Sequence, residues 1–108
     1  MRAIRETEGV VTSVSDDELL EAKAVIDAAG VGCEPASAAS VAGVRQLVAR
    51  GLIAPGDRVV AVLTGHVLKD HDAVTTYHGA DRPRANRPIQ IEARVQDVER
   101  VLERIIRS

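Results

Sequence analysis

Apolar residues along the chain follow two spacings, one typical of strands and one typical of helices. Runs rich in apolar and β-branched residues occupy 10–14 and 58–63, and together with the short segment 31–34 they predict strands. Between these runs, apolar residues recur every three or four positions, which predicts helices over about 16–29 and 37–50. The order strand, helix, strand, helix, strand predicts an α/β fold with three layers around an open parallel sheet (βαβαβ).

Residues that start and stop helices flank both predicted helices. Ser15 followed by Glu18 is the capping-box pattern, and Gly30 is a suitable stop for the first helix. Pro35 is tolerated at the start of the second helix, and Gly51 is suited to its end. The side chains that we expect to face the core are Leu19, Ala22, Ile26, Ala29, Val41, Val44, Leu47 and Val48.

The last third of the chain differs from the rest in composition and in the elements that it predicts. We expect 1–78 to form the α/β unit, with a helical turn near its end at 71–77. Residues 79–88, rich in Arg and Pro, predict an exposed link, and 89–108 predicts a C-terminal extension made of an edge strand and a helix. The apolar positions of that amphipathic helix are Val95, Val98, Leu102, Ile105 and Ile106.

Composition narrows the possible partners and location. The 108 residues suffice for one domain, and the net charge of −2 argues against nucleic-acid binding, which needs a basic face. Tyr77 is the single aromatic residue, so we expect a core of small aliphatic side chains. Such a core is small, and we therefore expect the domain to pack against a partner surface. The lone Cys33 fits a reducing compartment, and no apolar stretch is long enough for a membrane span. A cytoplasmic protein without membrane contact is predicted.

Chemistry-bearing residues follow two of the predicted strands. Thr64 comes directly after the run 58–63, Glu34 is the last residue of the segment 31–34, and Ser37 follows that segment. Ligands of open α/β sheets bind at the carboxyl ends of strands, so these residues are candidates for a small-ligand site. The alternative is structural: Thr64 as a turn residue, and Glu34 or Ser37 as caps of the second helix.

Three segments carry a family resemblance. They are Val-Ser-Asp-Asp-Glu-Leu-Leu-Glu-Ala at 14–22, Glu-Pro-Ala-Ser-Ala-Ala-Ser-Val-Ala-Gly at 34–43 and Thr-Gly-His-Val-Leu-Lys-Asp at 64–70. From about residue 2 to residue 77 the chain resembles threonine synthase. The resemblance implies pyridoxal phosphate (PLP) as cofactor, conversion of O-phosphohomoserine and water to threonine and phosphate, and a place in the large lobe of a type II PLP fold.

The resemblance also implies roles for individual residues. Thr64 contacts the ring nitrogen of the cofactor, and Gly65, Glu34 and Ser37 line the cofactor pocket. His66 contacts substrate, with a structural turn residue as the alternative. The family usually has Gly where this chain has Val67, so the turn after Thr64 can differ here.

Other parts of the family pattern have no counterpart in this chain. Lys23 and Lys69 do not resemble the Schiff-base lysine, and the dispersed glycines Gly30, Gly32 and Gly43 do not form a phosphate-binding loop. We therefore expect a fragment or subunit that does not bind PLP stably alone. Its partner would be the missing N-terminal part of the enzyme.

The residues also allow a function of a different class. The chain is alternatively a non-catalytic binding module, derived from such an enzyme, that pairs with itself as a homodimer.

A metal site is not expected, because the spacing of His66, His71 and His78 does not put all three on one helical face and Cys33 is distant.

Overall fold

The structure, a computed structural model, describes residues 2–107 and contains five α-helices over that range. They are α1 (Arg2–Glu6), α2 (Asp16–Ala28), α3 (Pro35–Ala49), α4 (His71–Gly79) and α5 (Val95–Ile106).

No strand is present in residues 2–107, so the prediction of a three-layer parallel sheet is wrong. The runs at 10–14, 31–34, 58–63 and 89–92 are all non-helical and without strand pairing. The reason is that apolar, β-branched runs supply suitable side chains, but a sheet also needs a ladder of backbone hydrogen bonds between neighbouring segments. The large lobe of a type II PLP fold, which the resemblance implied, is likewise absent.

The predicted capping of α2 is confirmed. The Ser15 hydroxyl accepts a hydrogen bond from the Glu18 N–H (3.3 Å), and the Glu18 carboxylate accepts one from the Ser15 N–H (2.8 Å). The helix ends before Gly30, whose positive φ of 78° suits a residue without a Cβ. The second predicted helix is also present as α3, but it begins at Pro35, two residues earlier than expected.

Helices α2 and α3 pack against each other and form the core. Small side chains let the two backbones approach closely, which a core without Phe or Trp requires. The expected core positions at the C-terminal ends of the two helices, Ala29 and Val48, are exposed, so those two assignments are wrong. The buried core residues are Ala22, Ile26, Cys33, Ala38 and Ala42, with Val14, Leu19, Val41 and Leu63 packed around them.

Gln46 of α3 joins the first turn of α2 to the preceding segment. Its amide N–H donates to both carboxylate oxygens of Glu18 (3.1 and 3.2 Å), and its carbonyl accepts from the Thr12 hydroxyl (2.7 Å). The backbone hydrogen bond from Ser15 and the side-chain bond from Gln46 lower the pKa of Glu18 below its ordinary value. Glu18 therefore stabilises the fold in its ionised form.

We expect Glu18→Gln to reduce the loss of stability in acid. Because the pKa of Glu18 is lower in the folded chain than in the unfolded chain, its contribution is present above the unfolded value, roughly pH 4.3, and is lost as the pH falls below it. Urea unfolding midpoints measured from pH 6 down to pH 3 check this. Gln46→Leu, which removes the second donor, should reproduce part of the change, whereas a full acid dependence in Glu18→Gln contradicts the prediction.

The segment after α4 lies on α2. Arg82 forms an ion pair with Asp17 (2.9 Å), and its guanidinium lies 5.7 Å from the ring centre of the buried Tyr77. The proposed division at 79–88 stays a prediction, but this exposed stretch is held against the helical core by specific contacts.

Helix α5 is strongly amphipathic, and none of its residues is buried. Leu102 and Val95 are exposed on its surface. Across the part of the chain that the structure describes, each helix is too short or too polar to cross a membrane.

Candidate functional site

The start of α3 and the segment that follows the apolar run 58–63 meet at one place. The Glu34 N–H donates to the Gly65 carbonyl (3.0 Å), and the Gly65 N–H donates to the Ser37 hydroxyl oxygen (2.9 Å). These bonds bring together Thr64, Gly65, Glu34 and Ser37, the four residues that the resemblance implies for the cofactor pocket. The proximity arises without a sheet, through two hydrogen bonds to a single residue.

Ser37 and Thr64 form a hydroxyl pair with their oxygens 3.5 Å apart. Ser37 is buried and already accepts from the Gly65 N–H, whereas Thr64 is exposed. When Ser37 donates its proton to Thr64, the Thr64 proton becomes available to an acceptor outside the chain. Either oxygen can be the donor of this pair, so this arrangement is one of two, and it is the one in which Thr64 can donate outward.

Glu34 lies directly over Gly65. A Cβ added to Gly65 would overlap the Glu34 side chain, so this contact requires a residue without one. The Glu34 carboxylate also lies 3.6 Å from the Lys69 ammonium, and the Lys69 side chain is largely exposed. An exposed pair of this kind contributes little stability.

Ser37→Ala should destabilise the chain by about 1–3 kcal/mol, because it leaves the Gly65 N–H without its acceptor in a partly buried place. Urea denaturation monitored by circular dichroism measures the change. Ser13→Ala, at an exposed position before α2, is the matched control and should shift the midpoint much less. Equal midpoints for the two variants would show that the Ser37 hydrogen bond does not hold this site together.

His66 has a local structural role in the turn. Its Nδ1 accepts from the Leu68 N–H (3.1 Å), and its carbonyl accepts from the Lys69 N–H (3.1 Å). The ring is exposed, so its other nitrogen faces no described protein group. The geometry supports the turn alternative and leaves the substrate role as a prediction.

Val67 does not need a positive φ, which answers the question raised by the missing glycine. Among the described non-glycine residues, positive φ occurs at Glu8 (52°) and Asp70 (51°). The left-handed residue of this turn is therefore Asp70, immediately before α4. Val67 packs against Gly32, where an added Cβ would come within 2.9 Å of the Val67 Cβ.

A buried ionic cluster lies next to the core and was not foreseen. The Lys23 ammonium donates to both carboxylate oxygens of Asp27 (2.6 Å each), and the Lys23 side chain is 2% exposed. His78 Nε2 lies 4.0 Å from the same carboxylate. The separation of four positions predicts a Lys23–Asp27 pair on one helix face, but nothing in the spacing signals that the lysine is buried.

Cys33 is fully buried beside this cluster, and burial raises the pKa of its thiol. The thiol is therefore a packing group in the folded chain and a poor nucleophile. No three His, Cys, Asp or Glu side chains within residues 2–107 are grouped closely enough to hold a metal ion.

A model of the pyridoxal-phosphate dependent enzyme family matches residues 1–65, more than half of the chain. The chain belongs to this family. The cofactor of the family is pyridoxal phosphate, as the sequence predicted. Thr64 is an exposed residue whose hydroxyl can donate to a pyridine nitrogen, so the residues present fit the ring end of the cofactor.

Curated proteins that are similar to this chain include threonine synthases. The enzyme of Methanosarcina acetivorans is 51% identical over 75 residues, which are 68% of this chain and 18% of that enzyme. The enzyme of Methanocaldococcus jannaschii is 36% identical over 104 residues, 95% of this chain and 24% of that enzyme. Threonine synthase 2, chloroplastic, of Arabidopsis thaliana is 28% identical over 111 residues, 98% of this chain and 22% of that protein.

The predicted resemblance to threonine synthase is confirmed by these relatives. The chain spans about a fifth of the length of the curated relatives it matches.

Proposed function

We propose that this chain supplies one wall of the cofactor pocket of a threonine synthase, with the Thr64 hydroxyl directed at the ring nitrogen of PLP. The observation that carries the proposal is the hydroxyl pair of Ser37 and Thr64 next to Gly65. The match to threonine synthases supports the same assignment. The reaction would be the conversion of O-phosphohomoserine and water to threonine and phosphate.

Thr64 sets the electronic state of the cofactor ring in this proposal. PLP, when bound, supplies an electron sink for carbanion chemistry at the substrate. A hydroxyl donates to a neutral pyridine nitrogen, whereas a carboxylate at the same place would hold that nitrogen protonated. In this proposal Ser37 donates to Thr64, which leaves the Thr64 proton for the ring nitrogen, and the Glu34 side chain lies against Gly65.

The lysine that the chemistry needs would come from the remainder of the enzyme, joined to this chain or separate from it. Lys23 is buried and forms an ion pair with Asp27, and the Lys69 ammonium lies 3.6 Å from the Glu34 carboxylate. We therefore expect the chain to be inactive and to bind PLP weakly when it is alone.

Exposed valine side chains support a protein partner. Val60 is 87% exposed, Val62 is 67% exposed and Val11 is 64% exposed. Leaving such side chains in water costs about 25 cal/mol for each Å² of apolar area, so a partner that covers them gains affinity. The partner that we propose is the rest of the threonine synthase. A cytoplasmic location, expected from the sequence, stays a prediction.

A graft tests the proposal. The segment of the Methanosarcina acetivorans enzyme that aligns with 75 residues of this chain is replaced by the corresponding residues of this chain. We expect the grafted enzyme to bind PLP and to release phosphate from O-phosphohomoserine with formation of threonine. A folded graft that binds PLP but forms no threonine contradicts the proposed function.

The exposed valines also support the second candidate, a non-catalytic homodimer. Light scattering on the 108-residue chain distinguishes the two, together with a PLP titration. A stable dimer without PLP affinity, combined with an inactive graft, favours the homodimer. A chain that gains PLP affinity only with the remainder of the enzyme favours the catalytic role.

A further inference from the structure

A cleft of about 320 Å³ lies between α2, α3 and the stretch that follows α4. It shares no lining residue with the place where Ser37, Thr64 and Gly65 meet, and the proposed function gives it no role. Its lining residues are Glu21, Val25, Arg45, Tyr77, Pro83 and Arg84.

The stretch that follows α4 forms the outer wall of this cleft, and specific contacts hold it in place. Arg82 is held by Asp17 (2.9 Å) and by the face of the Tyr77 ring (5.7 Å). A few residues further on, the Asn86 N–H donates to His78 Nδ1 (3.0 Å), and His78 is itself buried. A wall that is fixed before binding avoids the cost of ordering a loop around the ligand.

The polar groups of the cleft carry both signs of charge. Glu21 on α2 and Arg45 on α3 lie 3.6 Å apart, and both side chains are partly exposed. Arg84 contributes a second guanidinium, which has no ion-pair partner among residues 2–107. Between these charges, Val25, Tyr77 and Pro83 provide an apolar surface.

We propose that this cleft binds a free α-amino acid with a small apolar side chain. Its carboxylate pairs with Arg84, its ammonium pairs with Glu21, and its side chain lies on the apolar surface. A ligand with a carboxylate alone gives Glu21 no partner besides Arg45, 3.6 Å away, and an amine alone leaves Arg84 unpaired. The zwitterion satisfies both, and a planar guanidinium is well suited to a carboxylate.

Three probes of the same shape test the need for both charges. They are L-valine, isovalerate, which lacks the ammonium, and isobutylamine, which lacks the carboxylate. Titration calorimetry on the 108-residue chain should show saturable binding of L-valine and binding at least about tenfold weaker for the other two. Equal affinity for isovalerate and L-valine, or no heat from L-valine at millimolar concentration, overturns the proposal.

A pair of arginine variants locates the site. Arg84→Ala should weaken L-valine binding by about tenfold or more, since it removes a hydrogen-bonded charge. Arg87→Ala changes the same charge in the same stretch but does not line the cleft, so it should bind L-valine as the parent does. Circular dichroism confirms that both variants fold. Unchanged binding in folded Arg84→Ala overturns the assignment, independently of whether the chain has a role in threonine synthesis.

Discussion

Asp27→Ala is expected to destabilise the chain by about 3–5 kcal/mol, because it leaves the buried Lys23 ammonium without its counter-ion. Both carboxylate oxygens of Asp27 accept from Lys23 at 2.6 Å, and the Lys23 side chain is almost inaccessible to water. The removal of one partner from such a pair is costly, since the other charge keeps its desolvation penalty. Urea unfolding at neutral pH measures the loss.

The double variant Lys23→Met, Asp27→Leu is the matched control. It removes both charges and keeps apolar volume at the same place, so its stability should lie within about 1–2 kcal/mol of the parent. If the single variant is no less stable than the double variant, Lys23 is not held as a buried charge. That result would contradict the account of this cluster.

Gly65→Ala is expected to displace the Glu34 side chain and to cost about 1–2 kcal/mol, in the lower part of the range for an overpacked contact, because the end of that side chain can move. The added Cβ would occupy the space of the Glu34 carboxylate. Gly65 has no positive φ, so the cost arises from this contact and not from backbone strain. In the grafted enzyme, the same change should weaken PLP binding, because it disturbs the residue next to Thr64.

A Glu34→Ala background isolates the cause. When the obstructing side chain is absent, Gly65→Ala should cost much less, and the difference between the two backgrounds is the interaction energy. Unfolding midpoints of the parent, the two single variants and the double variant provide the cycle. An equal cost of Gly65→Ala in both backgrounds would contradict the contact between Glu34 and Gly65.

The helices of this chain could be predicted because their signals are local. The spacing of apolar residues located α2 and α5, and Ser15 with Glu18 fixed the start of α2. The same kind of local signal could not show whether the apolar runs pair into a sheet, because strand pairing depends on neighbouring segments and their register. The runs around Val11 and Val60 have the composition of strands but remain unpaired over the described residues.

The sequence also predicted part of the candidate site, because the position of a residue after an apolar run is a local signal. Thr64 and Ser37 each follow an apolar run, so their positions suggested that they belong to one pocket, and the structure places their oxygens 3.5 Å apart. The burial of Lys23 was not predictable, since burial depends on tertiary packing and not on spacing along one helix.

The most direct test of the central claim compares two changes at Thr64 in the grafted enzyme. Thr64→Ser keeps the hydroxyl and should retain most of the threonine-forming activity. Thr64→Val keeps the shape but removes the donor, and it should lower kcat by about tenfold or more, the loss expected for a hydrogen bond of about 1.4 kcal/mol or greater. Equal activity of the two variants, with equal PLP content, would contradict the claim that Thr64 contacts the ring nitrogen.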